Sequence, residues 1–140
     1  MYLNQKDKVE LNFDAKKIDS TLTITGSNTE INNYLANKAK LVKDIRVATK
    51  ELYSKDEKTF LADLAMVKEK QKELLANSKV SKNFNDLEAK NINFEYLSYL
   101  NNYKGYHSYF TKNKEFDPSK GFSDALNDLD YTNENNFNFL

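Results

Sequence analysis

The chain has 140 residues and equal numbers of basic and acidic side chains, 21 of each, so its formal net charge is zero. It has no cysteine, no tryptophan, one histidine, one proline and three glycines. This excludes a disulfide framework, a thiolate nucleophile, a Cys-based zinc site and a multi-histidine metal cluster. The dispersed glycines Gly26, Gly105 and Gly121 exclude a phosphate-cradling loop, and the charge balance argues against nucleic acid as a partner.

Of the basic residues only Arg46 is arginine, which argues against bidentate recognition of phosphate or carboxylate. The 18 aromatic residues supply bulky core material to a chain that is only 39% hydrophobic. That mixture points to a folded domain with a thin aromatic core and a charged surface. No stretch approaches the roughly 18 apolar residues of a membrane span. The start, Met1-Tyr2-Leu3 followed by Asn4-Gln5-Lys6-Asp7-Lys8, has no signal-peptide pattern.

The amino-terminal part reads as two strands. Val9, Leu11 and Phe13 alternate with polar residues, as do Leu22 and Ile24, and Gly26 closes the second strand. Two strands alone cannot bury an apolar face. Either the helices cover it or further strands complete the sheet, and the pattern favours further strands. On that reading residues 1–26 are the end of an amino-terminal β domain and residues 27–140 a helical domain. The open edges invite pairing with a second copy of the chain, a homodimer.

Ser27-Asn28-Thr29-Glu30 has the form of a capping box, which predicts a helix from there to about Tyr53 with Ile31, Leu35, Val42, Ile45 and Leu52 on one face. Ser54-Lys55-Asp56-Glu57 repeats the motif and predicts a second helix to about Asn77, with Phe60, Leu64, Val67 and Leu74 as its stripe. The short link predicts an antiparallel hairpin. Ser81 is the expected cap of a third helix to about Lys112. Phe122 to Leu129 predicts a short fourth helix capped by Ser119 or Ser123, and Thr132-Asn133-Glu134 the start of one more. The fold class expected is mainly α: an antiparallel bundle of three long helices plus a short fourth, preceded by a two-stranded β segment. Unfinished elements at both ends predict a piece of a longer chain.

The clearest periodicity lies in the third helix. Ile92, Tyr96, Tyr99, Tyr103, Tyr106 and Phe110 recur at alternating spacings of four and three. This stripe is either a core face whose hydroxyls reach the rim or an exposed platform for a ring or a partner peptide. His107 lies among these rings, with no second histidine to complete a metal site. Tyr96, Tyr99, Tyr103, Tyr106, His107 and Phe110 are therefore the candidate interaction surface. Residues 38–82 carry an excess of five positive charges and residues 116–140 an excess of four negative ones. Solvated helix faces explain both as well as an acidic partner would. Asp117, Asp124, Asp128 and Asp130 lack the ligand spacing of a calcium loop. No nucleophile, histidine and acid can be grouped into a catalytic set, so the residues predict no catalytic site, no metal and no cofactor.

Several segments resemble a known group. Tyr2-Leu3 with Asp7 to Asp14, followed by Gly26 and Asn32-Asn33-Tyr34-Leu35, is similar to the end of the amino-terminal β domain of envelope thiol-disulfide oxidoreductases. These are the TlpA/ResA-like members of the thioredoxin family. Glu95-Tyr96-Leu97 through Tyr103, and Leu129-Asp130-Tyr131 with Asn133-Glu134, resemble that group's helical insert. The resemblance implies that Gly26 turns the chain out of the sheet and that Asn32 to Leu35 form a packed first helical turn. It also implies a bacterial periplasmic or membrane-surface location, and partners in a downstream thioredoxin-like domain and its protein substrates. The family's Cys-x-x-Cys lies in that domain, so no catalytic residue carries over to this chain. The function implied is a non-catalytic accessory domain that positions the redox domain or docks partners. The alternative is a stand-alone helical protein-interaction domain with no redox link.

Overall fold

A computed structural model describes residues 1–45 and 48–127. Its architecture is mainly helical, with three long helices and a two-stranded antiparallel sheet before them.

Strand β1 (Val9–Asn12) pairs with β2 (Thr23–Gly26), placing Leu11 opposite Ile24 and Val9 opposite Gly26. A single helical turn, α1 (Ile18–Thr21), interrupts the connection. The Thr21 hydroxyl donates to the Lys17 carbonyl at 2.8 Å and accepts from the Asp14 amide at 2.9 Å, which fixes that turn. Gly26 ends β2 at a φ of +97°, and a Cβ there would lie 2.2 Å from the Lys8 carbonyl oxygen. Both the backbone sign and the close approach require glycine. The apolar face of the sheet is only partly covered. Ile24 is buried, whereas its ladder partner Leu11 lies open, as do Leu22 and the 50% exposed Phe13 just outside the strands.

Helix α2 covers Thr29–Ile45. The Ser27 hydroxyl does not serve it as the sequence predicts; it accepts from the Lys8 amide at 3.1 Å. Closing the hairpin takes Ser27 away from the helix, and the Asn28 carbonyl accepts the first turn's bond from the Asn32 amide at 2.9 Å. The long first helix expected to reach Tyr53 is instead two helices, α2 and α3 (Thr49–Ser54). Ala48 is extended, with φ −54° and ψ 139°, where the single helix would have continued. The break lets α3 lie on α5 (Lys82–Thr111) and bury Tyr53 against Phe60, Tyr99 and Tyr106. Tertiary packing here overrides a pattern that is locally compatible with helix.

Helix α4 runs over Glu57–Ala76, close to the range expected, but its cap is Asp56 rather than Ser54. The Asp56 carboxylate accepts from the Thr59 amide at 3.1 Å and the Thr59 hydroxyl at 2.8 Å. Ser54 closes α3 by donating to the Lys50 carbonyl. Helix α5 begins at the Ser81 cap and ends at Lys112, which is left-handed with φ 58°. A single 3-10 turn, Asp124–Leu126, stands where a short helix from Phe122 to Leu129 is expected. Ser123 precedes it without a side-chain cap. The helix expected from Thr132 lies outside the described residues.

The core has two clusters. Tyr53, Phe60, Leu64, Leu97, Leu100, Tyr103 and Phe122 form one; Ile31, Tyr34, Leu75, Phe84 and Ile92 form the other. Helix α5 contributes to both, and α4 packs along it. Full burial of a ring such as that of Phe60 is worth about 2–3 kcal/mol. The chain after α5 folds back so that Phe122 stacks on Tyr103, ring centroids 4.8 Å apart, and Phe116 meets the same ring edge-on. Glu57 fastens this return by accepting from the Ser119 amide at 2.8 Å and the Ser119 hydroxyl. No helix among the described residues is long and apolar enough to cross a membrane.

Candidate functional site

The six candidate residues of α5 do not share one environment. Tyr103 is fully buried, and its hydroxyl donates to the Lys55 carbonyl at 2.7 Å. Burial first, then Glu57 and Asp56, push the Tyr103 hydroxyl up to about 12. His107 sits one turn on, with Nδ1 2.9 Å from the Tyr53 carbonyl oxygen and its ring against Phe116. Tyr103 belongs to the core, the half-buried His107 borders it, and together they hold the α3 to α4 junction in place. Tyr96, Tyr99 and Tyr106 instead line a cleft among α2, α3, α4 and α5. Tyr99 and Tyr106 are seven residues apart, which keeps them on one helix face. Phe110 stacks on Tyr106 at 6.0 Å and continues the aromatic row beyond the cleft.

The cleft encloses about 280 Å³, at the small end of ligand-sized cavities. Its apolar wall comes from Val42 of α2, Leu52 of α3, and Leu64, Met66 and Val67 of α4. Tyr53 joins the α5 tyrosines from across the cleft, its ring 4.8 Å from Tyr106 and 6.3 Å from Tyr99. Burial, then the neighbouring Tyr99 and Tyr106, push the Tyr53 hydroxyl up to about 12. It therefore stays protonated and can donate a hydrogen bond throughout the neutral range.

The rim is charged. Lys55 is paired with Asp63 at 2.7 Å. Glu95 accepts from Lys38 at 2.8 Å and from Gln71 at 2.9 Å. Lys68 is placed differently: its ammonium donates to the Asn93 side-chain oxygen at 2.7 Å and lies 4.3 Å from the centre of the Tyr96 ring. Burial and then Lys72 hold the Lys68 ammonium below the ordinary lysine value, with Glu69 pulling the other way.

The amino-terminal residues that carry the resemblance lie away from this cleft, whereas Glu95, Tyr96 and Tyr99 of its helical segment line it. Gly26 ends the sheet, and Asn32 and Tyr34 are buried in the first turns of α2, flanked by the half-buried Asn33 and Leu35. Asn32 clamps the chain's start: its side-chain oxygen accepts from the Tyr2 amide at 2.7 Å and its amide donates to the Tyr2 carbonyl at 3.1 Å. No group of three or more His, Cys, Asp or Glu side chains among the described residues is placed to hold a metal ion.

Sequence reasoning singled out the α5 wall of the cleft but missed the opposite wall. Tyr53, Met66, Val67 and Lys68 read as ordinary members of two amphipathic helices. A lysine directly following the apolar stripe position Val67 is the one local signal that a charge borders this face. Comparison with protein-family profiles, curated proteins and solved structures finds no match.

Proposed function

We propose that this chain is a non-catalytic helical interaction domain whose cleft holds an apolar segment of a partner protein. In this reading α2, α4 and α5 form an antiparallel bundle, and α3 completes the cleft. The pairing of Phe60 with Tyr103 and the clustering of Leu75 with Phe84 support opposed directions for α4 and α5. The shared cluster of Ile31, Tyr34 and Leu75 supports the same for α2 and α4.

The observation that carries the docking role is the composition of the cleft. Tyr96, Tyr99 and Tyr106 stand partly exposed over aliphatic side chains instead of being closed into the core. Tyrosines of this kind supply large, rigid contact area at low entropic cost, with a hydroxyl for orientation. The accessory role beside a thioredoxin-like domain, implied by the resemblance, is the same proposal with that domain as the partner.

The test is selection from a displayed library of random peptides about twelve residues long. Selection is run on the chain and counter-run on Val67→Trp, which places an indole in the cleft. Peptides enriched on the first and not the second support the reading. Absence of any such peptide, with circular dichroism showing both proteins folded, overturns it.

A further inference from the structure

We infer that the segment bound in this cleft carries an aspartate or glutamate carboxylate beside a large apolar side chain, with Lys68 as its counter-charge. The inference rests on the docking role proposed above and specifies the partner's chemistry.

Among the described residues, four charged groups border the cleft on α4, α5 and the α3 to α4 link. Three are already matched to an opposite charge: Lys55 and Asp63 satisfy each other, and Glu95 is held by Lys38 and Gln71. An incoming cation would have to displace an ammonium from Asp63 or Glu95. Lys68 alone meets a neutral amide and a ring face. Neither contact carries a negative charge, the nearby Glu69 is itself paired with Lys72 at 2.8 Å, and burial already disfavours the charged form of Lys68. A carboxylate arriving beside Tyr96 would relieve that cost, because a partly desolvated charge pair is stronger than an exposed one.

The neighbouring surface sets the rest of the ligand. Val67 precedes Lys68 in the chain, and Val42 and Leu52 face the same space. An aliphatic or aromatic side chain fits there while an adjacent carboxylate reaches the ammonium. The tyrosine hydroxyls can donate to or accept from backbone groups of the segment.

The probe is the same random peptide library, followed by calorimetry on synthesised winners. Enriched peptides are expected to share an acidic residue next to Leu, Ile or Phe. Replacing that acid by its amide should weaken binding to the wild-type chain about tenfold. Lys68→Met should produce the same loss, and the two changes together should cost no more than either alone. Lys68→Arg should restore binding to within about twofold, and raised salt should weaken the wild-type complex. Winners without acidic bias, or winners indifferent to Lys68→Met, overturn this inference and leave the docking role standing. A library that yields nothing sensitive to Val67→Trp overturns the docking role itself. Should Lys68→Met fail to fold, the peptide amide exchange on the wild-type chain still decides the question.

Discussion

Lys38 on α2 and Glu88 on α5 form an ion pair at 2.7 Å, with the Glu88 side chain only 1% exposed. The same carboxylate accepts from the Tyr34 hydroxyl at 2.9 Å and from the Asn91 amide at 3.1 Å. Removing the ammonium leaves a buried carboxylate without its counter-charge. Lys38→Met is therefore expected to destabilise the fold by about 3–5 kcal/mol in urea unfolding. The triple change Tyr34→Phe, Lys38→Met and Glu88→Met removes charge and hydroxyl together and should recover most of that loss. A single variant as stable as the wild type would show that the pair carries no weight.

Alkaline stability follows from the same network. Burial lowers the Lys38 pKa, but the hydrogen bonds its ammonium donates to Glu88 and Glu95 outweigh it and hold the pKa above the ordinary lysine value. Burial and the adjacent Glu88 raise Tyr34, and burial raises Tyr53 and Tyr103 to about 12. A pKa raised in the folded state means stability that is full below the unfolded value and lost as pH climbs toward the folded one. For the tyrosines that loss starts at their unfolded value of 10.0, and for Lys38 at 10.5. Stability should thus hold through neutrality and fall between about pH 10 and 12. Absorbance at the phenolate band should show Tyr34, Tyr53 and Tyr103 ionising together with loss of the helical signal. A gradual titration completed in a still-folded chain would contradict this.

The long regular elements were legible because periodicity and caps agreed. Helix α4 and helix α5 run almost as the sequence predicts, and Ser81 caps α5. The break at Ala48 was not legible, because no proline or glycine stands between Ser27 and Tyr53. It arises from the burial of Tyr53, a contact with residues far along the chain. Buried polar residues were equally silent: Lys38, Glu88, Gln71 and Asn32 look like surface positions until their partners are known. The aromatic stripe was visible, but spacing alone could not say that Tyr103 turns inward while Tyr99 and Tyr106 border a cleft. That division depends on where α3 and the returning Phe116 and Phe122 settle.

Two glycines offer a matched pair of substitutions. Gly26→Ala forces a side chain into a positive-φ position with a backbone oxygen in its way, and should cost about 1–3 kcal/mol. Gly105 lies within α5 with nothing within 4 Å of a built Cβ. Gly105→Ala should stabilise by about 0.5–1 kcal/mol, since alanine loses less backbone freedom in a helix interior. Thermal unfolding of both variants beside the wild type gives the two signs directly.

Deleting residues 1–26 tests how far the helices depend on the sheet. The deletion removes Tyr2, whose ring meets Phe84 edge-on at 5.9 Å and whose backbone satisfies the buried Asn32 amide. It also removes β2 from beside α2. One orphaned amide costs about 1–3 kcal/mol, and loss of the Tyr2 ring adds a similar amount. The first cluster, with Phe60 and Tyr103, has no partner in the deleted segment. The shortened chain should therefore keep its helical circular dichroism at low temperature and melt several degrees below the full chain. Asn32→Leu in the shortened chain should raise the melting point again, because it replaces the stranded amide with an apolar side chain. Loss of all helical signal on deletion would instead mean that the sheet is indispensable to the helices.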